Sequence, residues 1–189
     1  MIATIDTRAN KGFTLIELLV VIAIIGVLAA VVLLAINPAE LLRRSRDSGR
    51  LQDLSTLRKA VDSAIAQQTG AITLPCTTAC LSNDGRGRSA AGTGWLGASG
   101  GTFDLTQFLS TLPIDPINAS TTVACNGGTG CTTSRLTAVA AYSFRSAADA
   151  TYELNTYLES TQNLTKLNGD GGNSDNIFET GTAPGLTLI

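Results

Sequence analysis

The sequence Lys11-Gly12-Phe13-Thr14-Leu15-Ile16-Glu17 leads into an uninterrupted apolar run over residues 18–36. That run is built almost wholly from Leu, Ile, Val and Ala, with Gly26 as its only weak helix former. At a rise of about 1.5 Å per residue, roughly twenty such residues match the ~30 Å hydrocarbon core of a bilayer. The stretch therefore predicts a membrane-spanning helix with a single carboxylate, Glu17, at its start.

The carboxylate of Glu17 needs a partner or water, because an ionised side chain in hydrocarbon costs about 3 kcal/mol or more. One interpretation places Glu17 at the headgroup level, where it is simply solvated. The other uses the polar leader: a cut after Gly12 would leave the apolar helix on the product, unlike an ordinary secretory signal. The cut would also create an amine on Phe13, one helical turn from Glu17, able to pair with a carboxylate of its own or a neighbouring chain.

The run Gly12-Phe13-Thr14-Leu15-Ile16-Glu17-Leu18-Leu19-Val20-Val21 resembles the class III signal of type IV pilins and of the related pseudopilins of type II secretion and competence systems. The resemblance implies that a prepilin peptidase cleaves after Gly12 and methylates Phe13. It implies that Glu17 guides assembly by pairing with the N-terminus of a neighbouring subunit. The implied partners are identical subunits in a helical fibre, the peptidase, an inner-membrane assembly platform, and membrane lipid before assembly.

Four segments follow from this pattern: a leader (1–12), a hydrophobic assembly helix (13–36), an amphipathic helix (37–69) and a globular domain (70–189). Asn37-Pro38-Ala39-Glu40 is a helix-start signature, so the helix is expected to kink or restart there. Apolar residues then recur at helical spacing, at Leu51, Leu54, Val61, Ala64 and Ile65. The predicted fold is α+β, with a long N-terminal helix packed on a small antiparallel sheet of three to four strands.

Strands are predicted over residues 136–144, 151–158 and 177–182, which are rich in β-branched and aromatic residues. Residues 146–149 form the expected hairpin connection, and residues 185–189 a possible edge strand. Residues 82–101, dominated by Gly, Ser, Ala and Thr around Trp95, predict a mobile connecting loop. A short helix is predicted over residues 104–112, ended by the turn Pro113-Ile114-Asp115-Pro116, which is similar to a turn of major pseudopilins and some pilins.

The chain contains no histidine, which excludes Ser-His-Asp and Cys-His nucleophile pairs and HExxH zinc sites within it. Residues 61–189 carry five Lys or Arg against ten Asp or Glu, so this part is not a nucleic-acid surface by charge. We therefore expect a chain that is not an enzyme. The arginines at 43, 44, 46 and 50 are expected either to contact phosphate headgroups or the acidic residues of neighbouring subunits in an assembly, or to form a solvated helix face.

All four cysteines follow the span, and an even number in an exported domain indicates disulfides, with three possible connectivities. We favour Cys76–Cys80 and Cys125–Cys131, since both pairs lie in turn-rich segments, over a four-thiolate zinc site of unusual spacing. Residues 168–176 form a glycine-rich stretch that carries several Asp, Asn and Ser side chains, whose oxygen atoms can coordinate a cation. No cofactor is required, but calcium is possible here, with Asp170 and Asp175 as leading ligands, as in the similar loop of major pseudopilins.

The resulting hypothesis is a structural subunit of a type IV pilus-like fibre, serving adhesion, motility or DNA uptake. A major pseudopilin of a secretion or competence system shares the same motifs. A different class of protein, a membrane-anchored binding domain that never polymerises, predicts an unprocessed N-terminus. The fibre hypothesis places the chain as a single-pass protein of the cytoplasmic membrane with its globular domain outside, and then in an extracellular pilus or periplasmic pseudopilus. The arginines just beyond the span oppose this orientation by the positive-inside rule, but long domains translocate largely regardless of charge.

Overall fold

A computed structural model describes residues 12–68, 74–97, 103–118 and 140–189. Its helices are α1 (Leu15–Ile36), α2 (Pro38–Gln67) and the short α3 (Leu164–Leu167). Its strands are β1 (Cys80–Leu81), β2 (Ser143–Ser146), β3 (Tyr152–Thr156) and β4 (Phe178–Gly181). The chain divides into two compact units, Met1–Leu41 and Leu42–Ile189. The α+β prediction is confirmed.

The break between α1 and α2 lies at Asn37, which adopts the left-handed conformation with φ 45°. Asparagine tolerates this conformation better than most residues. Pro38 then opens α2 with a φ already suited to a helix, and the Asn37 side chain accepts a hydrogen bond from the Glu40 amide at 3.4 Å. The predicted helix restart is therefore confirmed, and its cause is local.

The second half of α2 packs on the sheet through the apolar stripe. Leu54, Leu57 and Val61 are completely buried, while Leu51 and Ile65 are only partly buried. Leu54, Leu57 and Val61 belong to one core with Tyr142, Phe144, Tyr152 and Leu154, and Ile65 packs against it. The hydroxyls of both tyrosines donate hydrogen bonds to side chains of α2: Tyr142 to Asp53 at 2.7 Å and Tyr152 to Asp62 at 2.5 Å.

The four strands form one antiparallel sheet in the order β1-β2-β3-β4. In the centre, Phe144 pairs with Leu154 and Leu154 pairs with Thr180. Side chains alternate between the two faces, so one face of β2 and β3 lies against α2. The two-residue strand β1 was not predicted, because two residues are too few to show any alternation.

Two predicted strands differ from those observed. The prediction over residues 136–144 falls partly outside the described residues, and the strand itself runs from Ser143 to Ser146. The prediction of an edge strand over residues 185–189 is wrong. Pro184–Leu186 form a 3₁₀ turn with Gly185 at φ 66°, and the amides of Leu188 and Ile189 donate to the side chain of Glu153 instead of to a strand.

The segment that follows β1 is a loop, as predicted, but it does not stand off from the domain. Trp95 is completely buried, and its indole NH donates to the Pro113 carbonyl at 2.9 Å. The amide of Trp95 also donates to the Gly87 carbonyl, which closes the loop on itself. Glycine-rich composition predicted a mobile connection, but the buried side chains of Trp95 and Leu96 attach it to the core.

The helix predicted over residues 104–112 is also wrong. Only one turn forms there, in which Phe108 and Leu109 both donate to the Leu105 carbonyl, and Asp104 accepts from the Thr106 amide at 2.8 Å. The segment then leaves the helical path, because the Leu112 amide donates to the Arg88 carbonyl. Burial of Leu105 and Leu112 under the loop is achieved without a helix.

The predicted disulfide between Cys76 and Cys80 is present, with its Cα atoms 5.6 Å apart. It ties the segment before the sheet to β1. The prediction for Cys125 and Cys131 lies outside the described residues and stays a prediction.

Candidate functional site

The start of α1 is organised by a reciprocal contact between Thr14 and Glu17. The Glu17 carboxylate accepts hydrogen bonds from the Thr14 amide at 2.9 Å and the Thr14 hydroxyl at 2.8 Å. The Glu17 amide donates to the Thr14 hydroxyl oxygen at 3.3 Å. This is a capping box, which satisfies amide groups that the first turn of a helix leaves without partners.

Sequence reasoning about Glu17 considered membrane depth and the amine of Phe13, and it missed this local role. The signal was present, since Thr-x-x-Glu directly before an apolar run is the capping-box pattern. Phe13 and Gly12 precede the box and both are exposed, Phe13 by 92%. The predicted cleavage point, the capping residue and the acid thus lie together at the start of the helix.

The rest of α1 presents apolar side chains all around the helix. Within the described chain, Leu15–Leu33 is the one helix long and apolar enough to cross a membrane, and none of that segment is buried in the molecule. Ile16, Ile22 and Val27 each expose 60% or more of their surface. Because apolar surface of this extent is unfavourable in water, α1 requires lipid or another apolar surface.

A second polar cluster lies at the start of the globular unit, around Arg50. Its guanidinium is completely buried and donates to Asp115 at 2.6 Å, Asp47 at 3.0 Å and Glu159 at 2.6 Å. It also donates to the Tyr157 hydroxyl at 2.6 Å and lies 4.2 Å from the centre of that ring. Arg50 thereby connects α2 with the Pro-x-Asp-Pro turn and with the segment after β3.

The electrostatics of this cluster favour its charged forms. Burial works to lower the pKa of Arg50, but the hydrogen bonds and negative charge of Asp115, with Glu159, outweigh it and raise that pKa. Burial likewise works to raise the pKa of Glu159, but hydrogen bonds from Arg46 and Arg50 lower it to about 2. Arg50 and Glu159 are therefore both charged near neutral pH.

The basic segment was expected to contact headgroups or neighbouring subunits, or to form a solvated helix face. Both expectations were wrong for Arg46 and Arg50. Arg50 is neither a solvated residue nor a headgroup contact, and Arg46 forms a two-pronged pair with Glu159, with its Nε 2.9 Å from Oε1. Two of the acid partners, Asp115 and Glu159, lie more than sixty residues away in sequence, so no local pattern could indicate them. The charge of Asp47 was a clue, since an acid three residues before Arg50 can face it on a helix.

The candidate calcium loop is ordered by its own backbone. The Asp170 carboxylate accepts from the Gly172 amide at 2.9 Å and from the Glu179 amide at 2.8 Å, whereas Asp175 is exposed. Among the residues that the structure describes, no group of three or more Asp, Glu, Cys or His side chains is placed to hold a metal ion. These two aspartates therefore do not form a carboxylate cage, and calcium binding in this loop stays a prediction.

Comparison with known proteins bears on the N-terminal region. Residues 7–33 match the family model of the prokaryotic N-terminal methylation motif. Fimbrial protein Q of Moraxella bovis is 46% identical over 58 residues, which is 31% of this chain and 36% of that protein. A fimbrial protein of Pseudomonas aeruginosa is 40% identical over 60 residues, which is 32% of this chain and 38% of that protein. No solved structure matches the chain.

These likenesses cover one part of the molecule. The chain spans somewhat more than a third of the length of the fimbrial proteins it matches. They confirm the resemblance expected from the residues around Gly12 and Glu17.

Proposed function

We propose that this chain, whose residues 7–33 match the prokaryotic N-terminal methylation motif, is a type IV pilin-like structural subunit of a pilus-like fibre. In this proposal the leader is removed after Gly12 and the subunits polymerise through α1. The role is one of packing and charge pairing rather than catalysis. The fimbrial names of the relatives favour a surface fibre over the pseudopilus of a secretion or competence system.

The observation that carries the proposal is the exposed apolar surface of α1. A helix whose side chains are apolar on every side has no solvated face, so it must exchange lipid for similar helices if it leaves the membrane. Burying about 100 Å² of apolar surface contributes roughly 2.5 kcal/mol. Packing in a bundle of such helices therefore stabilises subunits that have left the bilayer, because it keeps their apolar surface away from water.

The position of Glu17 makes the association selective. In the precursor, the Thr14 hydroxyl and amide supply donors to its carboxylate. Cleavage after Gly12 adds a cationic amine on Phe13, whose surroundings are open. A neighbouring subunit that presents this amine to Glu17 allows the acid to enter an apolar bundle as half of an ion pair.

The proposed location follows from the same steps. Before assembly the subunit spans the cytoplasmic membrane once, with its leader inside, where the peptidase and the assembly platform act on it. The sheet domain lies outside the cytoplasm, in keeping with its Cys76–Cys80 disulfide. After assembly that domain forms the outer surface of the fibre.

The first test is the mass of the mature N-terminus in the native host. The expected product begins at Phe13 and carries one added methyl group. An intact leader on the membrane-bound protein would contradict the proposal and favour an anchored domain that does not polymerise.

The second test replaces Glu17 by Gln and Thr14 by Ala in separate variants. Glu17→Gln is expected to abolish or strongly reduce filaments in electron micrographs, because it removes the charge that pairs with Phe13. The unfolding temperature of the globular domain is expected to stay unchanged, since Glu17 is distant from its core in sequence and fully exposed.

Thr14→Ala is the matched control, because it breaks the capping box yet keeps the carboxylate. It is expected to weaken only the first helical turn, by about 1 kcal/mol, and to leave filaments present. Normal filaments from Glu17→Gln, or their equal loss in both variants, would contradict charge pairing. Loss of long surface filaments on deletion of the gene distinguishes a pilus from a secretion pseudopilus.

A further inference from the structure

The globular unit has a polar cleft that takes no part in the contacts described above for α1. It lies between the loop that follows β1 and the Pro113-Ile114-Asp115-Pro116 turn, and it has a volume of about 330 Å³. Pockets that bind small molecules in proteins begin at roughly this size. Its lining includes Ser82, Gly85, Gly87, Arg88, Ile114 and Asn118.

Hydrogen bonds hold both walls of the cleft in place. Ser82 Oγ accepts from the Tyr142 amide at 2.9 Å and donates to Asn118 Oδ1 at 2.9 Å, which ties the loop to the turn. The Asn118 amide donates to Asp115 at 3.3 Å, and Asp115 is itself paired with the buried Arg50. The cleft is therefore formed before any ligand arrives, and a preformed site loses less conformational freedom on binding.

Two glycines keep the loop wall of the cleft open. Gly85 and Gly87 have φ angles of 83° and 80°, in the left-handed region that residues with a Cβ rarely adopt. A Cβ at either position would meet no atom within 4 Å, so the space beside the backbone is empty there. The backbone of this loop is thus accessible to a bound molecule.

Arg88 supplies the charge of the cleft. Its Nε donates to the Leu112 carbonyl at 2.9 Å, which positions the guanidinium and leaves the two Nη groups as the remaining donors. Every acidic residue beyond the leader lies in the described part of the chain, and none of them forms an ion pair with Arg88. The neighbouring Arg86 differs, since its Nε lies 3.4 Å from Asp84. The charge of Arg88 is therefore left for solvent or for a ligand.

Asn118 and Ile114 determine what else a ligand of this cleft meets. Because Ser82 occupies Asn118 Oδ1, the Nδ2 group is the end that remains for a ligand, and an amide NH2 only donates. Ile114 is half-buried and adds an apolar contact. A guanidinium has a planar fork that matches two oxygens of a carboxylate or a phosphate. These groups together suit a small polar molecule that carries an oxyanion.

We propose that this cleft binds a sugar-sized anion. The Nη groups of Arg88 contact the carboxylate or phosphate oxygens, Asn118 Nδ2 donates to another oxygen of the ligand, and Ile114 packs against its carbon atoms. A uronic acid and a sugar phosphate share this chemistry. Every residue of the site belongs to the globular unit, so binding does not depend on the assembly of a fibre.

The test is an NMR titration of the isotope-labelled full-length chain in a non-ionic detergent at constant ionic strength. Glucuronate, glucose-6-phosphate and glucose are added in separate experiments. The reporters are the amides of Gly85 and Gly87 and the indole NH of Trp95, the only tryptophan, which donates to the Pro113 carbonyl beside the cleft.

At least one of the two anions is expected to cause saturable shifts, with a dissociation constant of about 1 mM for so small a ligand. Glucose lacks the charge and is expected to bind at least about tenfold more weakly. The anion that binds more tightly identifies the oxyanion that the cleft prefers, and binding of either one supports the proposal.

Arg88→Gln is expected to weaken anion binding by about tenfold or more, because it removes the charge from the cleft. Arg86→Gln is the matched control, since this neighbouring arginine pairs with Asp84 and does not line the cleft. It is expected to leave the affinity unchanged. Equal losses in the two variants would overturn the proposal, because the anion would then respond to the general charge of the surface.

A second variant tests the site without disturbing the bond from Arg88 to Leu112. Asn118→Asp keeps an acceptor for Ser82 but places a negative charge in the cleft, so it is expected to abolish anion binding. Binding that persists in this variant would overturn the proposal. The same conclusion would follow if neither anion caused a saturable shift in the unmodified chain, or if glucose bound as tightly as the anions.

Discussion

At the scale of single residues, Arg50 has the most demanding environment in the molecule. Its guanidinium is surrounded by Asp47, Asp115 and Glu159, and no part of it reaches solvent. The Asp47 carboxylate also accepts hydrogen bonds from the backbone amides of Glu159 and Ser160, each at 2.8 Å. Removing the cation would therefore leave buried carboxylates without compensation.

Arg50→Met is expected to lower the free energy of unfolding by about 3 to 5 kcal/mol, because it leaves two fully buried acids unpaired. The measurement is chemical unfolding of the full-length chain in mild detergent, followed by the fluorescence of Trp95. Arg58→Met is the control, since Arg58 is exposed and lies 3.8 Å from Asp62. Its expected effect is below about 1 kcal/mol, and equal effects of the two changes would contradict this account.

At the scale of elements, the short strand β1 depends on covalent support. The Cys76–Cys80 disulfide spans only four positions, yet the Cys76 carbonyl accepts from the Ser146 amide and the Pro75 carbonyl accepts from the Ser146 hydroxyl. The bridge thus holds the start of the domain to the end of β2 as well as to β1. A two-residue strand contributes too few ladder hydrogen bonds to secure this edge alone.

Replacing both Cys76 and Cys80 by Ser is expected to cost about 2 kcal/mol, from the loop-closure entropy of a ring this small. The urea midpoint of the full-length chain should fall while the slope of the transition is retained. Thr78→Ser, inside the same ring, is the control and should leave the midpoint in place. A double variant with an unchanged midpoint would show that the hydrogen bonds of Ser146 are sufficient.

At the scale of the whole molecule, two acids make its stability depend on pH in opposite ways. The pKa of Glu159 is lowered to about 2, so its stabilisation is present above about pH 4.5 and is lost as the pH falls toward 2. The pKa of Glu179 is raised to about 7, so its stabilisation is lost as the pH rises through neutrality. The two contributions are at their maximum together only near pH 4.5, and that of Glu179 declines progressively between pH 4.5 and about 7.

Glu159→Gln is expected to flatten the acid side of this profile. The unmodified chain should lose about 2 to 3 kcal/mol from this group between about pH 4.5 and about pH 2, and the variant should lose less over the same range. Thermal unfolding at several pH values measures the difference. Parallel profiles for the two proteins would show that Arg46 and Arg50 do not set the ionisation of Glu159.

The sequence by itself determined the features that depend on neighbours a few residues apart. The apolar span, the restart at Asn37 and Pro38, and the amphipathic stripe of α2 follow from helical periodicity and local backbone preferences. The Thr14–Glu17 capping box is also a local feature. Its Thr-x-x-Glu pattern was present in the sequence, although we did not predict the box from it. The Cys76–Cys80 pairing was also predicted, from the turn-rich segment in which both cysteines lie.

Only the tertiary structure decided the burial of Arg50, the packing of Trp95 and the burial of Glu153 and Glu179 within the sheet. Each depends on groups that are distant in sequence: Arg50 and Asp115 are 65 positions apart, and Trp95 and Pro113 are 18 apart. A charged or aromatic side chain is compatible locally with solvent or with burial, and only the groups that the fold brings around it settle its energy. That is why helix α1 was predictable from a short stretch of sequence, whereas the polar interior of the domain was not.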